Sequence, residues 1–143
     1  MNSRILRFCG NDNKYFLMKT IITTKNAPSP IGPYSQAVLT GNTLYTSGQI
    51  AINPETNMLV LEDIKIETKQ VMQNLKAVLE AASMTFEHVI KSSIFISNMD
   101  DFGLINEVYG HYFDEANAPA RETVQVARLP KNVNVEISVI AVK

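Results

Sequence analysis

A guanidinium and a carboxylate stand out in this sequence as groups whose surroundings point to chemistry. Arg121 follows Pro119-Ala120. The proline fixes its own φ and biases Ala118 toward extended backbone. Arg121 therefore presents a planar, fixed cationic fork, suited to gripping a carboxylate, at the mouth of a strand. Glu136 interrupts the very apolar closing segment Val133 to Val142. Burying a carboxylate is costly unless it is paired or hydrogen-bonded, and Arg121 is an available partner. Tyr34 ends the loop Asn26 to Pro33, where Pro28, Pro30 and Pro33 stiffen the chain, so its phenol sits on a rigid tether. Ser47-Gly48-Gln49 closes a strand, and a glycine there marks a bulge or the close approach of a ligand or another backbone. Asn106 falls among Phe102, Tyr109 and Phe113 on a helical stripe and requires a hydrogen-bond partner.

Together Tyr34, Ser47, Asn106, Arg121, Thr123 and Glu136 suit a small-molecule site. Arg121 would hold a carboxylate while Glu136 sets a water. An activated electrophile such as an imine hydrolyses with that modest help and needs no covalent step. A plainer reading uses the same residues: an Arg121–Glu136 pair that staples an interface and catalyses nothing.

Other chemistries lack their parts. His88 and His111, the two histidines, lie far apart and outside any nucleophile motif, and Cys9 lies near the start of the chain. There is no Gly-rich phosphate loop and no zinc-ligand spacing, so a structural metal is not expected. A net charge of -1 gives no electrostatic reason to bind nucleic acid or an anionic membrane. No apolar run approaches the ~20 residues that span a bilayer. A single cysteine excludes an intrachain disulfide framework and suits a reducing, cytoplasmic location.

These groups need elements to position them. Residues 1–17 show no periodicity and are expected to form a flexible extension ahead of one domain at 18–143. Met18 to Thr24 reads as a strand. Ala37 to Thr40 and Thr43 to Ser47 form a hairpin about Gly41-Asn42. Val71, Leu75, Val78, Leu79 and Ala82 form one stripe of a helix over 63–82 with Asp63 as N-cap, and Glu67, Lys69, Gln73, Lys76 and Glu80 are assigned to its wet side. Val89 to Ser97 is a strand. Asp100 or Asp101 caps a second helix bearing Phe102, Ile105, Tyr109, Tyr112 and Phe113, and strands follow at Glu122 to Ala127 and Val133 to Val142. The result is α+β, with about six strands and two helices. In the last strand Glu136, Ser138, Ile140 and Val142 share a face too apolar for water. Two helices cover only one face of a sheet, so the second face is expected to be buried against other copies of the chain.

Over Met18 to Lys143 the chain strongly resembles the Rid family (YjgF-like, reactive intermediate deaminases). The resemblance rests on Asn26-Ala27-Pro28, Ile31-Gly32-Pro33-Tyr34-Ser35-Gln36-Ala37, Tyr45-Thr46-Ser47-Gly48-Gln49-Ile50, Asp101-Phe102 with Asn106 and Tyr109, Pro119-Ala120-Arg121, Val126-Ala127-Arg128-Leu129-Pro130-Lys131 and Val135-Glu136-Ile137. It implies a chorismate-mutase-like fold with a mixed sheet and a homotrimer whose sheets form a central barrel, with a site in each cleft between subunits. It further implies hydrolysis of 2-iminobutanoate and 2-iminopropanoate to 2-oxo acids and ammonia, without metal or cofactor. On this resemblance Arg121 is the carboxylate clamp, Glu136 orients or activates water, Tyr34 closes the pocket, and Ser47, Gly48 and Asn106 line it. Thr123 departs from a position where many members carry Cys and helps chiefly through its backbone. Ala118 departs from an aromatic position and loosens the rim. Two competing expectations remain: a non-enzymatic trimer that binds small carboxylates or acts as a chaperone, and a ribonuclease or translation inhibitor, which the charge balance ranks last.

Overall fold

The computed structural model describes residues 19–143. The extension expected at 1–17, with Cys9 and Met18, lies outside the described residues. Six strands are present: β1 (Lys19–Ile22), β2 (Ala37–Thr40), β3 (Thr43–Thr46), β4 (Val89–Ile96), β5 (Ala120–Gln125) and β6 (Val135–Val142). The two helices are α1 (Ile64–Ala81) and α2 (Phe102–Gly110). The strands make one sheet in the order β1-β2-β3-β6-β4-β5. All pairs are antiparallel except β4 with β5, so the sheet is mixed, as the family resemblance implies.

The α1 stripe packs as its spacing dictates. Asp63 accepts from the Lys65 and Ile66 amides at 2.8 and 2.9 Å and caps the helix. Val71, Leu75, Val78 and Leu79 are fully buried in one core with Val135, Ile137, Val139 and Ala141 of β6. Each such Val, Leu or Ile side chain stabilises the fold by roughly 1.5–3 kcal/mol. The other β6 side chains, Glu136, Ser138, Ile140 and Val142, stay half-buried on the opposite face. By register that open face continues through Tyr45, Val38 and Ile21 on one side and Phe95 and Val124 on the other. Ile21, Tyr45 and Val124 are exposed.

Three expectations about the elements are corrected. Glu67 is not on a wet face: it is completely buried. Its Oε1 accepts from the Asn134 and Val135 amides at 2.6 and 3.2 Å, and its Oε2 from Asn134 Nδ2 at 2.9 Å. The carboxylate thus serves the Asn134 and Val135 amides at the entrance to β6, giving these donors an acceptor. Asp101 makes no side-chain cap bond to α2. Instead Asn98 accepts from the Asp100 amide at 3.1 Å, because a 3-10 turn at Met99–Asp101 runs directly into the helix. Finally, β5 starts at Ala120 rather than Glu122, since parallel pairing with β4 recruits Ala120 and Arg121 opposite Lys91 and Ser92. Arg121 is therefore within a strand and not at its mouth.

Candidate active site

Tyr34, Ser47, Gly48 and Glu136 meet in one cleft of about 350 Å³, closed by Pro28 and Ile31 of the proline loop. The loop is held by buried Gln36. Its Nε2 donates to the carbonyls of Thr24, Ala27 and Pro28 at 3.0, 3.2 and 2.9 Å, and its Oε1 accepts from the Thr24 amide at 2.7 Å. Ser47 Oγ donates to the Ser35 carbonyl at 2.5 Å, and its amide donates to the Gln36 carbonyl at 2.9 Å. Ser47 thus lines the cleft while its hydroxyl fixes the backbone beside Tyr34. Tyr34 is half exposed at the rim.

Gly48 has a specific steric duty. A Cβ added there would collide with the Glu136 carboxyl, lying 2.8 Å from its Cδ. The crowding at this glycine comes from a side chain of the same chain, and not from the ligand or second backbone anticipated from the sequence. Glu136 has no ion-pair partner among the described residues. Its burial penalises the charged form and moves its pKa above the ordinary glutamate value. A carboxylate with raised proton affinity beside an open cleft is suited to taking a proton from water.

Asn106, Arg121 and Thr123 form a second group, under α2. Arg121 Nη1 donates to Asn106 Oδ1 at 2.6 Å. Its Cζ lies 5.1 Å from the Tyr109 ring centroid and 5.6 Å from that of Phe102. The amide on the aromatic stripe has its partner: the guanidinium. No carboxylate among the described residues pairs with Arg121. Thr123, two residues on and facing the same side, has a buried hydroxyl without a hydrogen-bond partner. An unpaired cation and an unsatisfied hydroxyl side by side are an arrangement for an oxyanion.

The two groups do not meet within one chain, so Arg121 and Glu136 form no intrachain pair. Strand β4 separates β5 from β6. Arg121 pairs with buried Ser92 and so faces α2, whereas Glu136 pairs with Phe95 and faces the open side. The offset of two strands and three residues puts their Cα atoms roughly 14 Å apart, at ~4.8 Å per strand and ~3.3 Å per residue. Among the described residues, no group of three or more His, Cys, Asp or Glu is placed to hold a metal, and no helix is long and apolar enough to cross a membrane.

Sequence reasoning missed Gln36, Ser92 and Glu67. A polar residue opening an otherwise apolar strand was the available signal for Gln36, and nothing in local patterning marks the other two.

The chain belongs to the family described as endoribonuclease L-PSP, whose model matches residues 24–143. The same relationship links it to the Rid proteins. A crystal structure of a Rid-family protein from Yersinia pestis superposes with a TM-score of 0.85 at 50% identity, covering 87% of this chain and 99% of that one. E. coli TdcF with bound serine superposes at 0.82 with 44% identity, covering 87% and 98%. A 2-iminobutanoate/2-iminopropanoate deaminase of Dermatophagoides farinae is 52% identical over 124 residues, covering 87% of this chain and 96% of that protein. Relatives of comparable identity in Pyrococcus horikoshii and Synechocystis are named only as RutC family proteins.

Proposed function

We propose that this protein hydrolyses small 2-imino acids, of the 2-iminobutanoate and 2-iminopropanoate type, to 2-oxo acids and ammonia, at a site shared between copies of the chain. The carrying observation is the division just described: a preset, unpaired guanidinium on one face of the sheet and a desolvated carboxylate in a cleft on the other. Neither half suffices alone, and a second copy supplies the missing one. The exposed apolar side chains of the open face support association through that face, in a homotrimer with sheets turned inward.

In this reading Arg121, with Asn106 and the Thr123 hydroxyl beside it, receives the substrate carboxylate. Glu136 takes a proton from water as the water oxygen bonds to the imine carbon, and the imine nitrogen gains a proton to become an amine. The hydroxyl proton of the carbinolamine then passes through Glu136 to the amine nitrogen, the C–N bond breaks as the carbonyl forms, and the 2-oxo acid and ammonia leave. Tyr34 covers the cleft and Gly48 leaves the space that Glu136 occupies. The named deaminase of Dermatophagoides and the serine held by TdcF, itself a small amino acid carboxylate, support the substrate class. The single cysteine supports placing the activity in the cytoplasm. The family description includes ribonuclease activity, but a net charge of -1 offers little affinity for polyphosphate.

The test is a mixing experiment. Iminopropanoate generated by a dehydratase is trapped with semicarbazide, and wild-type protein is expected to suppress trapping while Arg121→Ala and Glu136→Gln each fail. Unfolded together and refolded as a 1:1 mixture, the two inactive variants should regain about a quarter of wild-type activity, because in a cyclic oligomer that fraction of shared sites holds both native residues. No regain sinks the shared site, and no suppression by wild type sinks the reaction.

A further inference from the structure

Helix α2 presents Phe102, Asn106 and Tyr109 at i, i+4 and i+7, a single stripe, to the Arg121 side chain. The helix is only nine residues long, and just two of its residues, Ile105 and Tyr109, are buried. Most of this stripe is therefore not core. Tyr109 is anchored in turn: its hydroxyl donates to Oγ of Ser92 at 2.9 Å, and Ser92 is completely buried on β4, directly opposite Arg121 in the parallel ladder. Phe113 backs the Tyr109 ring with centroids 4.6 Å apart. The guanidinium thus has two ring contacts and one hydrogen bond, and each comes from α2.

We infer that Phe102 and Tyr109, the latter locked by Ser92, are positioning residues that hold the Arg121 guanidinium in one orientation before any ligand arrives. The geometry explains the choice of side chains. An exposed arginine ordinarily samples many rotamers, and ordering it on binding costs free energy each time a ligand is captured. Rings attract the cation through their faces and make no competing hydrogen bond, so they orient the guanidinium without consuming its donors. Asn106 uses one Nη1 hydrogen. Of the five N–H groups that a guanidinium carries, four remain, and they include the Nη2 and Nε pair that matches a carboxylate. A carboxylate in place of Asn106 would neutralise the charge, and an aliphatic residue in place of either ring would let the side chain swing.

This inference rests on the reading of Arg121 as a carboxylate clamp, but its test does not need turnover. The first measurement is side-chain ¹⁵N NMR of free protein, with the Arg121 signals assigned through Arg121→Lys. Restricted rotation of the Arg121 guanidinium is expected in wild type. Rotation should be intermediate in Tyr109→Phe, which keeps the ring and its Phe113 backing but loses the Ser92 bond, and become fast in Phe102→Leu and Tyr109→Leu. Phe102 is partly exposed, so Phe102→Leu keeps the test open if Tyr109→Leu fails to fold. The second measurement is kinetic. Losing a positioning ring should raise KM about three- to thirtyfold with kcat nearly unchanged, the signature of weaker binding in ground and transition states alike. Free rotation of Arg121 in the wild type, or an unchanged rotation rate in both leucine variants, overturns the inference. Absence of any deaminase activity overturns the function proposed above and leaves the NMR result to decide this one.

Discussion

The two halves of the candidate site are built by opposite means. Around Glu136 the organisation is backbone-directed: Gln36, Ser47 and Glu67 all bond to main-chain groups, and the space for the carboxylate comes from the absent side chain of Gly48. Around Arg121 it is side-chain-directed, with two rings and an amide from one short helix. The difference follows from what each charge needs. A base gains proton affinity by losing water, so its surroundings are a shaped wall that offers it no donor. A clamp must keep its charge and face outward, so its surroundings steer it and leave its donors free.

The contrast can be broken most severely from the Glu136 side. Glu136→Gln keeps the shape and removes the proposed base, and kcat for the proposed imine hydrolysis should fall about 10²–10⁴-fold, read by the semicarbazide trap. Glu67→Ala should leave the Asn134 and Val135 amides at the start of β6 without acceptors, costing about 2–6 kcal/mol in urea unfolding, since each unsatisfied buried group costs ~1–3 kcal/mol. An unchanged midpoint would show that the backbone staple behind Glu136 is dispensable. Arg121→Ala should weaken binding of a small 2-oxo acid about ten- to hundredfold in calorimetry, for the loss of charge-assisted bonds worth ~1.5–3 kcal/mol, without lowering stability. The smallest effect is a linkage effect. The folded pKa of Glu136 lies above its unfolded value, so folding favours the protonated form. Its ionisation therefore destabilises the fold above the folded pKa, and this penalty is relieved as pH falls through that pKa toward the unfolded one. Glu136→Gln should be slightly more stable than wild type at pH 7, with the gap closing in acid, and a constant gap would rule out burial as the cause.

Much of the fold was legible because periodicity reports burial directly. The α1 stripe and the alternation of β6 gave both elements and predicted which face of β6 would be left open. What escaped depends on strand order. Arg121 and Glu136 read as neighbours along the chain, but parallel pairing inserts β4 between their strands and register puts them on opposite faces. No local pattern carries that information. Glu67 escaped for a related reason. A glutamate in the first turn of a helix usually faces water, and only the arrival of the Asn134 and Val135 amides makes burial favourable. Asn106 was legible as a polar residue needing a partner, while the partner itself came from tertiary structure.

Gly48 has a consequence for reading other sequences. Its backbone lies outside the left-handed region, so what forbids a side chain there is occupancy by Glu136. The two positions therefore form a thermodynamic cycle with one large coupling term: alanine at 48 should be damaging beside glutamate and nearly neutral where residue 136 is itself cut back to alanine. Positions 48 and 136 should accordingly co-vary among related chains, and a relative bearing a bulkier residue at the first is expected to have surrendered the carboxylate at the second, and with it the chemistry.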